Sequence, residues 1–235
     1  MVCQEKWCWE GRYKKYCVMK KFNIDKYGFN KLVSNLFEID DLTKLHKLRN
    51  DLLPTEHLNL YTESSTKFHN IFYSKLNDNW IEFDELYDNF IHTEIVKVVN
   101  EPFHYQKWPT FRVHIPNDQA VHTWHSDGDP LHKHPPGEIN FFLPLTKCYG
   151  TNTMWVESEP WKLDFKPIEL DYGEYFMFNG NQCHHGNKPN KTNLTRVSFD
   201  FRIMPVSKYD PTWNIDSPTS HTKFVVGEYY KELYK

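Results

Sequence analysis

The sequence predicts a mainly β fold preceded by helices, and three observations carry that expectation. Apolar residues recur at helical spacing only within the first hundred positions. Beyond Pro109 they alternate with polar residues over short runs. Turn-forming clusters such as Asn117-Asp118, Pro135-Pro136-Gly137, Asn179-Gly180 and Lys188-Pro189-Asn190 separate those runs. Many short strands at such intervals suit a sandwich or barrel.

Taken in order, residues 1–20 are aromatic and basic without periodicity, and read as an arm. A helix is expected from Ile39 to Leu53, where Ile39, Leu42, Leu45, Leu48 and Leu52 share helical spacing. A second is expected from Asp84 to Val99, with Leu86, Phe90, Ile95 and Val98 on one face. Residues 21–105 thus form a mainly helical support. Strands are expected at Phe111–Ile115, Glu138–Leu145, Asn152–Val156, Glu174–Phe178 and Thr195–Ile203, within a β core spanning residues 106–210. Residues 211–235 form a C-terminal segment. One domain accommodates all 235 residues.

Composition narrows the function. The chain is 39% hydrophobic and 17% aromatic, enough to build a core, so disorder is excluded as a description. A net charge of −3 speaks against a dedicated nucleic-acid binder, which carries a basic surplus. Cys3, Cys8, Cys17, Cys148 and Cys183 make an odd set without the close pairs of a structural zinc site, as in a reducing compartment. No run approaches the ~18 apolar residues of a membrane span, and charges interrupt the N-terminus where a signal peptide would be apolar. The expected location is cytoplasmic, with the sequons at Asn190 and Asn193 left unmodified.

The chemistry lies in His125-Ser126-Asp127. Residues two apart on an extended strand point the same way, so the imidazole and carboxylate can face one centre. A second histidine from another strand would complete the two-histidine, one-carboxylate face that suits non-haem Fe(II) and leaves positions open. In a chain with thirteen histidines, His-x-Asp alone is a weak signal. The run Cys183-His184-His185-Gly186-Asn187 offers the third ligand, and eleven residues past His185 comes Arg196-Val-Ser-Phe-Asp-Phe-Arg202. There Arg196, Ser198, Asp200 and Arg202 share one strand face, and Val197, Phe199, Phe201 and Ile203 the other. Guanidinium matches carboxylate bidentately, so Arg196 beside Ser198 can clamp a dicarboxylate. The plainer reading puts one face in the core and the other in water.

These segments resemble the Fe(II)- and 2-oxoglutarate-dependent oxygenases, in the StrG-type branch distantly related to phytanoyl-CoA hydroxylases. The resemblance runs through His125-Ser126-Asp127, residues 136–146, residues 151–158, Tyr172-Gly173-Glu174, His185-Gly186-Asn187 and residues 196–202. It implies a double-stranded β-helix, a jelly-roll or cupin-like barrel, over residues 106–210. It implies iron on His125, Asp127 and His185, and the distal carboxylate of 2-oxoglutarate on Arg196 with Ser198. Asn140 and Asn152 would lie near that pocket. The implied reaction consumes O2 and 2-oxoglutarate, releases succinate and CO2, and oxidises a C–H bond of a small molecule. Because Asp127 occupies the carboxylate position, hydroxylation is favoured over halogenation. Desaturation, ring closure and epimerisation use the same triad.

Other residues carry competing readings. His184 competes with His185 for the metal, and the spacing to Arg196 favours His185. His122 reads as an ordinary strand histidine, and His132 and His134 as members of a solvated loop near the mouth, within reach of substrate as the alternative. Trp124 and Trp155 read as core or pocket wall, and Cys183 as an oxidation liability near the iron. Arg202 reads as a structural partner of a carboxylate such as Asp200 or Glu174, or as a wall contact with substrate. Two rival functions are an AlkB-like nucleic-acid oxygenase, echoed by Trp124-His125-Ser126-Asp127 and the Arg196/Arg202 pair, and an inactive metal-binding β-barrel serving as a binding module.

Overall fold

A computed structural model of the chain describes residues 17–48, 66–118, 124–213, 215–216 and 222–233. His122, Cys3, Cys8 and Leu52 lie outside the described residues. The helical layer comprises α1 (Phe29–Leu36), α2 (Lys67–Asn77) and α3 (Ile81–Thr93), with 3-10 helices at Leu42–Leu48 and Ile95–Lys97. The strands are β1 (Val18–Lys21), β2 (Phe103–Gln106), β3 (Thr110–His114), β4 (Ile139–Pro144), β5 (Met154–Val156), β6 (Lys166–Pro167), β7 (Glu174–Phe178), β8 (His185–Asn187), β9 (Arg196–Pro205) and β10 (Tyr230–Glu232). No helix among the described residues is long and apolar enough to cross a membrane.

Two antiparallel sheets result. The larger has seven strands in the order β1-β7-β4-β9-β2-β10, with β3 also on β9; the smaller is β6-β5-β8. The ten-residue β9 is the spine, pairing with β4 from Ile139↔Ile203 to Pro144↔Ser198 and with β3 from Thr110↔Asp200 to His114↔Arg196. Its alternation decides the layering. Val197, Phe199, Phe201 and Ile203 are all buried on the helix side. Phe199 lies 5.5 Å from Phe83 and 6.0 Å from Phe29, and Phe72 stacks on Phe111 at 4.4 Å. On the opposite side, Phe142, Phe176 and Phe178 meet Met154, Val156 and Ile168 between the two sheets. Each fully buried Phe contributes about 1.5–3 kcal/mol relative to exposure, so this aromatic sandwich fixes the register of the spine.

The helical support differs from its sequence reading in detail. The expected helix at Ile39–Leu53 is, among described residues, a 3-10 helix over Leu42–Leu48. The reason is local competition for backbone groups. The Thr43 carbonyl accepts the N–H of Thr195 at 2.8 Å, so it is diverted to the segment leading into β9. The Asp41 carboxylate meanwhile takes the Thr43 N–H and hydroxyl at 3.0 and 2.6 Å. The second helix begins earlier than expected, at Ile81, and breaks at Thr93 before a 3-10 turn. The expected arm of residues 1–20 ends inside the sheet, because Val18–Lys21 pairs with Met177–Glu174 as an edge strand.

Candidate metal centre

Three side chains from separate parts of the chain converge. The ligand atoms of His125, Asp127 and His185 all lie within 4.8 Å of one another, and all three residues are buried. Asp127 Oδ1 is 3.6 Å from Nε2 of each histidine. This is a little wider than the ~3 Å edge spanned by two ligands at ~2.1 Å from one ion. The backbone enforces the meeting. His125 and His185 form an antiparallel bridge, exchanging N–H···O bonds of 3.1 and 2.8 Å, so the HxD segment is effectively a fourth strand of the small sheet. Asp127 N–H donates to the Gly180 carbonyl at 2.9 Å, which fixes the turn carrying the carboxylate.

Protonation states suit a cation. Burial, then the neighbouring His125, push the His185 pKa down to about 3, leaving a neutral imidazole. Its Nδ1 faces the Cys183 carbonyl at 3.1 Å, so the proton sits there and the lone pair is on Nε2. For Asp127, burial favours the neutral acid but is outweighed by Arg202 and by His125, holding the carboxyl well below its usual range. One oxygen is already engaged: Oδ2 accepts Asn140 Nδ2 at 2.6 Å and Arg202 Nε at 2.8 Å. That leaves Oδ1 facing the imidazoles as a single, oriented ligand. Two imidazole nitrogens and one ionised oxygen fit a non-haem iron centre.

Gly180 guards this arrangement. A Cβ there would stand 2.6 Å from Asn140 Cγ and Nδ2, displacing the amide that holds Asp127. Gly186, between His185 and Asn187, is covered by the Trp124 indole, which a Cβ would meet at 2.9 Å. Trp124 is therefore a wall residue packed edge-on to Phe165 at 4.3 Å. Trp155 lies under Lys188, whose Nζ is 3.3 Å from the ring centre.

The polar face of β9 meets the cavity and not bulk water. The cavity encloses about 470 Å³ including its open mouth, and Arg196, Asp200 and Arg202 line it with His125 and His185. Arg196 is 2% exposed and donates to Asn187 Oδ1 at 2.8 Å. Ser198, on the same strand face, is fully buried and does not line the cavity, and its hydroxyl has no partner among the described residues. A buried guanidinium facing the cavity suits a carboxylate. Asn140 also lines the cavity. Asn152 is not among the lining residues; its Oδ1 accepts the Tyr149 N–H at 2.7 Å, closing a turn, while its Nδ2 is buried without a partner.

Several expectations need correcting. Arg202 pairs with Asp127 and not with Asp200 or Glu174, because Asn140 and Arg202 face each other across β4 and β9 and both reach the same carboxylate. Asp200 is taken by Arg112 at 3.1 Å, and Glu174 by Lys21 at 3.2 Å. His134 is not solvated: its N–H donates to the Asp127 carbonyl at 2.9 Å and its ring bonds buried Glu138 at 2.7 Å. His132 is half-buried and stacks on His125 at 4.0 Å, with Nδ1 on Asp129 at 2.8 Å. His184 turns away from the centre, toward Glu157 Oε1 at 2.9 Å. The Cys183 thiol sits in the apolar cluster between the sheets, and burial pushes it up to about 12, so little thiolate exists to oxidise. Sequence reading gave Asn187, Gly180 and Glu138 no role. For Asn187 a signal existed, since it lies two residues past His185 on the same strand face.

No family model matches the chain. Among solved structures, EctD from S. alaskensis in its apoform aligns at a TM-score of 0.55 with 12% identity, over 86% of this chain and 78% of that one. EctD with bound Fe aligns at 0.52 with 14% identity, over 82% and 74%. These likenesses identify the two facing sheets as a double-stranded β-helix. In sequence, the chain is 38% identical over 169 residues to the streptomycin biosynthesis protein StrG of Streptomyces griseus, covering 72% of this chain and 77% of the relative. At that identity, over most of both chains, the protein belongs to the StrG family.

Proposed function

We propose that this protein is an Fe(II)- and 2-oxoglutarate-dependent oxygenase that hydroxylates an aliphatic C–H bond of a small polar metabolite. The observation that carries the reading is one cavity lined both by His125 and His185 of the His125/Asp127/His185 cluster and by the buried Arg196. Iron, 2-oxoglutarate and O2 together supply the oxidising power, with succinate and CO2 as by-products. The protein's residues do the rest. His125, Asp127 and His185 hold the metal through three ligands and leave other positions open. Arg196, steadied by Asn187, receives the distal carboxylate of the cosubstrate with the Ser198 hydroxyl beside it. Phe142, Phe178 and Met154 line the same cavity and exclude water.

Two further lining residues support a polar substrate. Arg112 and Asp200 face the cavity as an ion pair, with Nε 3.1 Å from Oδ2. Together they offer donors and an acceptor to hydroxyl or amino groups of a sugar, cyclitol or amino acid. The full carboxylate at Asp127 favours hydroxylation, since it fills the ligand position that a halide would need.

The test is anaerobic addition of Fe(II) and then 2-oxoglutarate, followed by visible absorption. A weak charge-transfer band that disappears in His125→Ala and Asp127→Ala supports the reading, and a metabolite screen scored by succinate release then follows. Iron binding without such a band overturns it.

A further inference from the structure

The C-terminal segment reaches the metal centre by two routes. Its strand β10 pairs with β2, Tyr230 opposite Gln106, and the Tyr229 carbonyl accepts the Lys107 N–H at 2.8 Å. Phe224, Tyr229 and Tyr230 form a small apolar cluster of their own with Met204. The first route runs through the backbone of the carboxylate ligand. The Tyr230 hydroxyl donates to one oxygen of Glu138, whose side chain is fully buried, and the other oxygen takes His134 Nδ1 at 2.7 Å. The His134 ring packs on Phe224 at 4.5 Å, and its N–H holds the Asp127 carbonyl at 2.9 Å. The second route runs through the side chain. There Arg202 Nε grips Asp127 Oδ2 at 2.8 Å. The Arg202 backbone N–H is itself anchored on Gln106 Oε1 at 3.1 Å, opposite Tyr230.

We infer that residues 224–230 are a positioning strap for the metal centre, with Tyr230 orienting Asp127 through Glu138 and His134 while its strand backs the Gln106 that anchors Arg202. An ionised carboxylate can rotate, tilt or bind through both oxygens, and each freedom weakens a ligand. Fixing the Asp127 backbone from one side and Oδ2 from the other leaves Oδ1 a single direction. Residues that orient ligands in this way typically account for about 10–100-fold in metal affinity. No strap residue is a ligand, so its contribution is geometric and separable from the chemistry.

The inference rests on the triad being a metal site, but not on 2-oxoglutarate. Co(II) serves as the probe, in the full-length protein without cosubstrate, read by calorimetry and by the ligand-field absorption. Tyr230→Phe keeps the ring and removes only the hydroxyl. It should weaken Co(II) binding by roughly tenfold or more and alter the absorption envelope. Phe37→Leu, in the helical layer, serves as a stability control: at an equal or larger loss of Tm it should bind Co(II) as the wild type does. The strap is refuted if Tyr230→Phe retains wild-type affinity and spectrum, or if Phe37→Leu loses as much affinity. Failure of the wild type to bind Co(II) would overturn the triad reading, and the strap with it.

Discussion

The two faces of β9 are built from the same ten residues by opposite rules. Toward the helices, Val197, Phe199, Phe201 and Ile203 enter an aromatic core where each ring touches several others. Toward the small sheet, Arg196, Asp200 and Arg202 make specific polar contacts, with Asn187, Arg112 and Asp127. Dispersion and burial are non-directional, so the apolar face spreads its energy over many neighbours. Charged hydrogen bonds are directional, so the polar face concentrates its worth in single contacts. Damage to one face should therefore appear as lost stability, and damage to the other as lost binding.

The largest expected effect tests the apolar side. Phe199→Ala should cost about 3–5 kcal/mol, as cavity-forming aromatic truncations do, seen as a lower urea midpoint. The fraction still folded should bind metal normally. Next comes Arg196→Met, which should weaken 2-oxoglutarate binding by about 2–4 kcal/mol while the melting temperature stays nearly constant. If both variants lose stability alike, the division between the faces is wrong.

Gly180→Ala sharpens the comparison, because the added methyl collides with Asn140 and not with the core. Overpacking of about 1–3 kcal/mol is expected, together with roughly tenfold weaker metal binding as Asn140 releases Asp127. The smallest effect lies outside both faces. Glu157 is buried, which favours its neutral acid, but N–H donors from His184, Leu163 and Trp161 outweigh this and lower its pKa. A depressed carboxyl stabilises the fold above its ordinary value near 4.5, and that contribution fades as pH falls through the lowered value. Glu157→Gln should cost about 1–2 kcal/mol at neutral pH and flatten the acid limb of stability against pH.

Much of this division was legible in the sequence, because strict alternation from Arg196 to Ile203 leaves one register compatible with a buried apolar face. His125-x-Asp127 and His185 were legible for the same reason, as residue types at strand spacing. Partner choice was not. Whether Arg202 meets Asp200, Glu174 or Asp127 depends on how β4 slides along β9, and nothing local to Arg202 encodes that. Strand β8 was not among the expected strands because His-Gly-Asn has no β-propensity of its own; its pairing with β5 and with His125 overrides propensity. α1 is only eight residues long, too short for its apolar face to stand out, and its place is decided by Phe29 and Val33 entering the core.

The reciprocal bridge between His125 and His185 has a consequence for how the chain proofreads itself. Two ligands joined as directly opposed residues share one register. A slip of a single residue would set Trp124 or Ser126 against His185 and turn the His125 ring to the far side of the sheet. A chain that closed its barrel one residue out of step would still bury apolar surface, yet it would be blind to the ion. On the proposed metal site, uptake by newly made protein would count correctly assembled molecules, and an excess of metal would draw mispaired chains back toward the one alignment that can hold it.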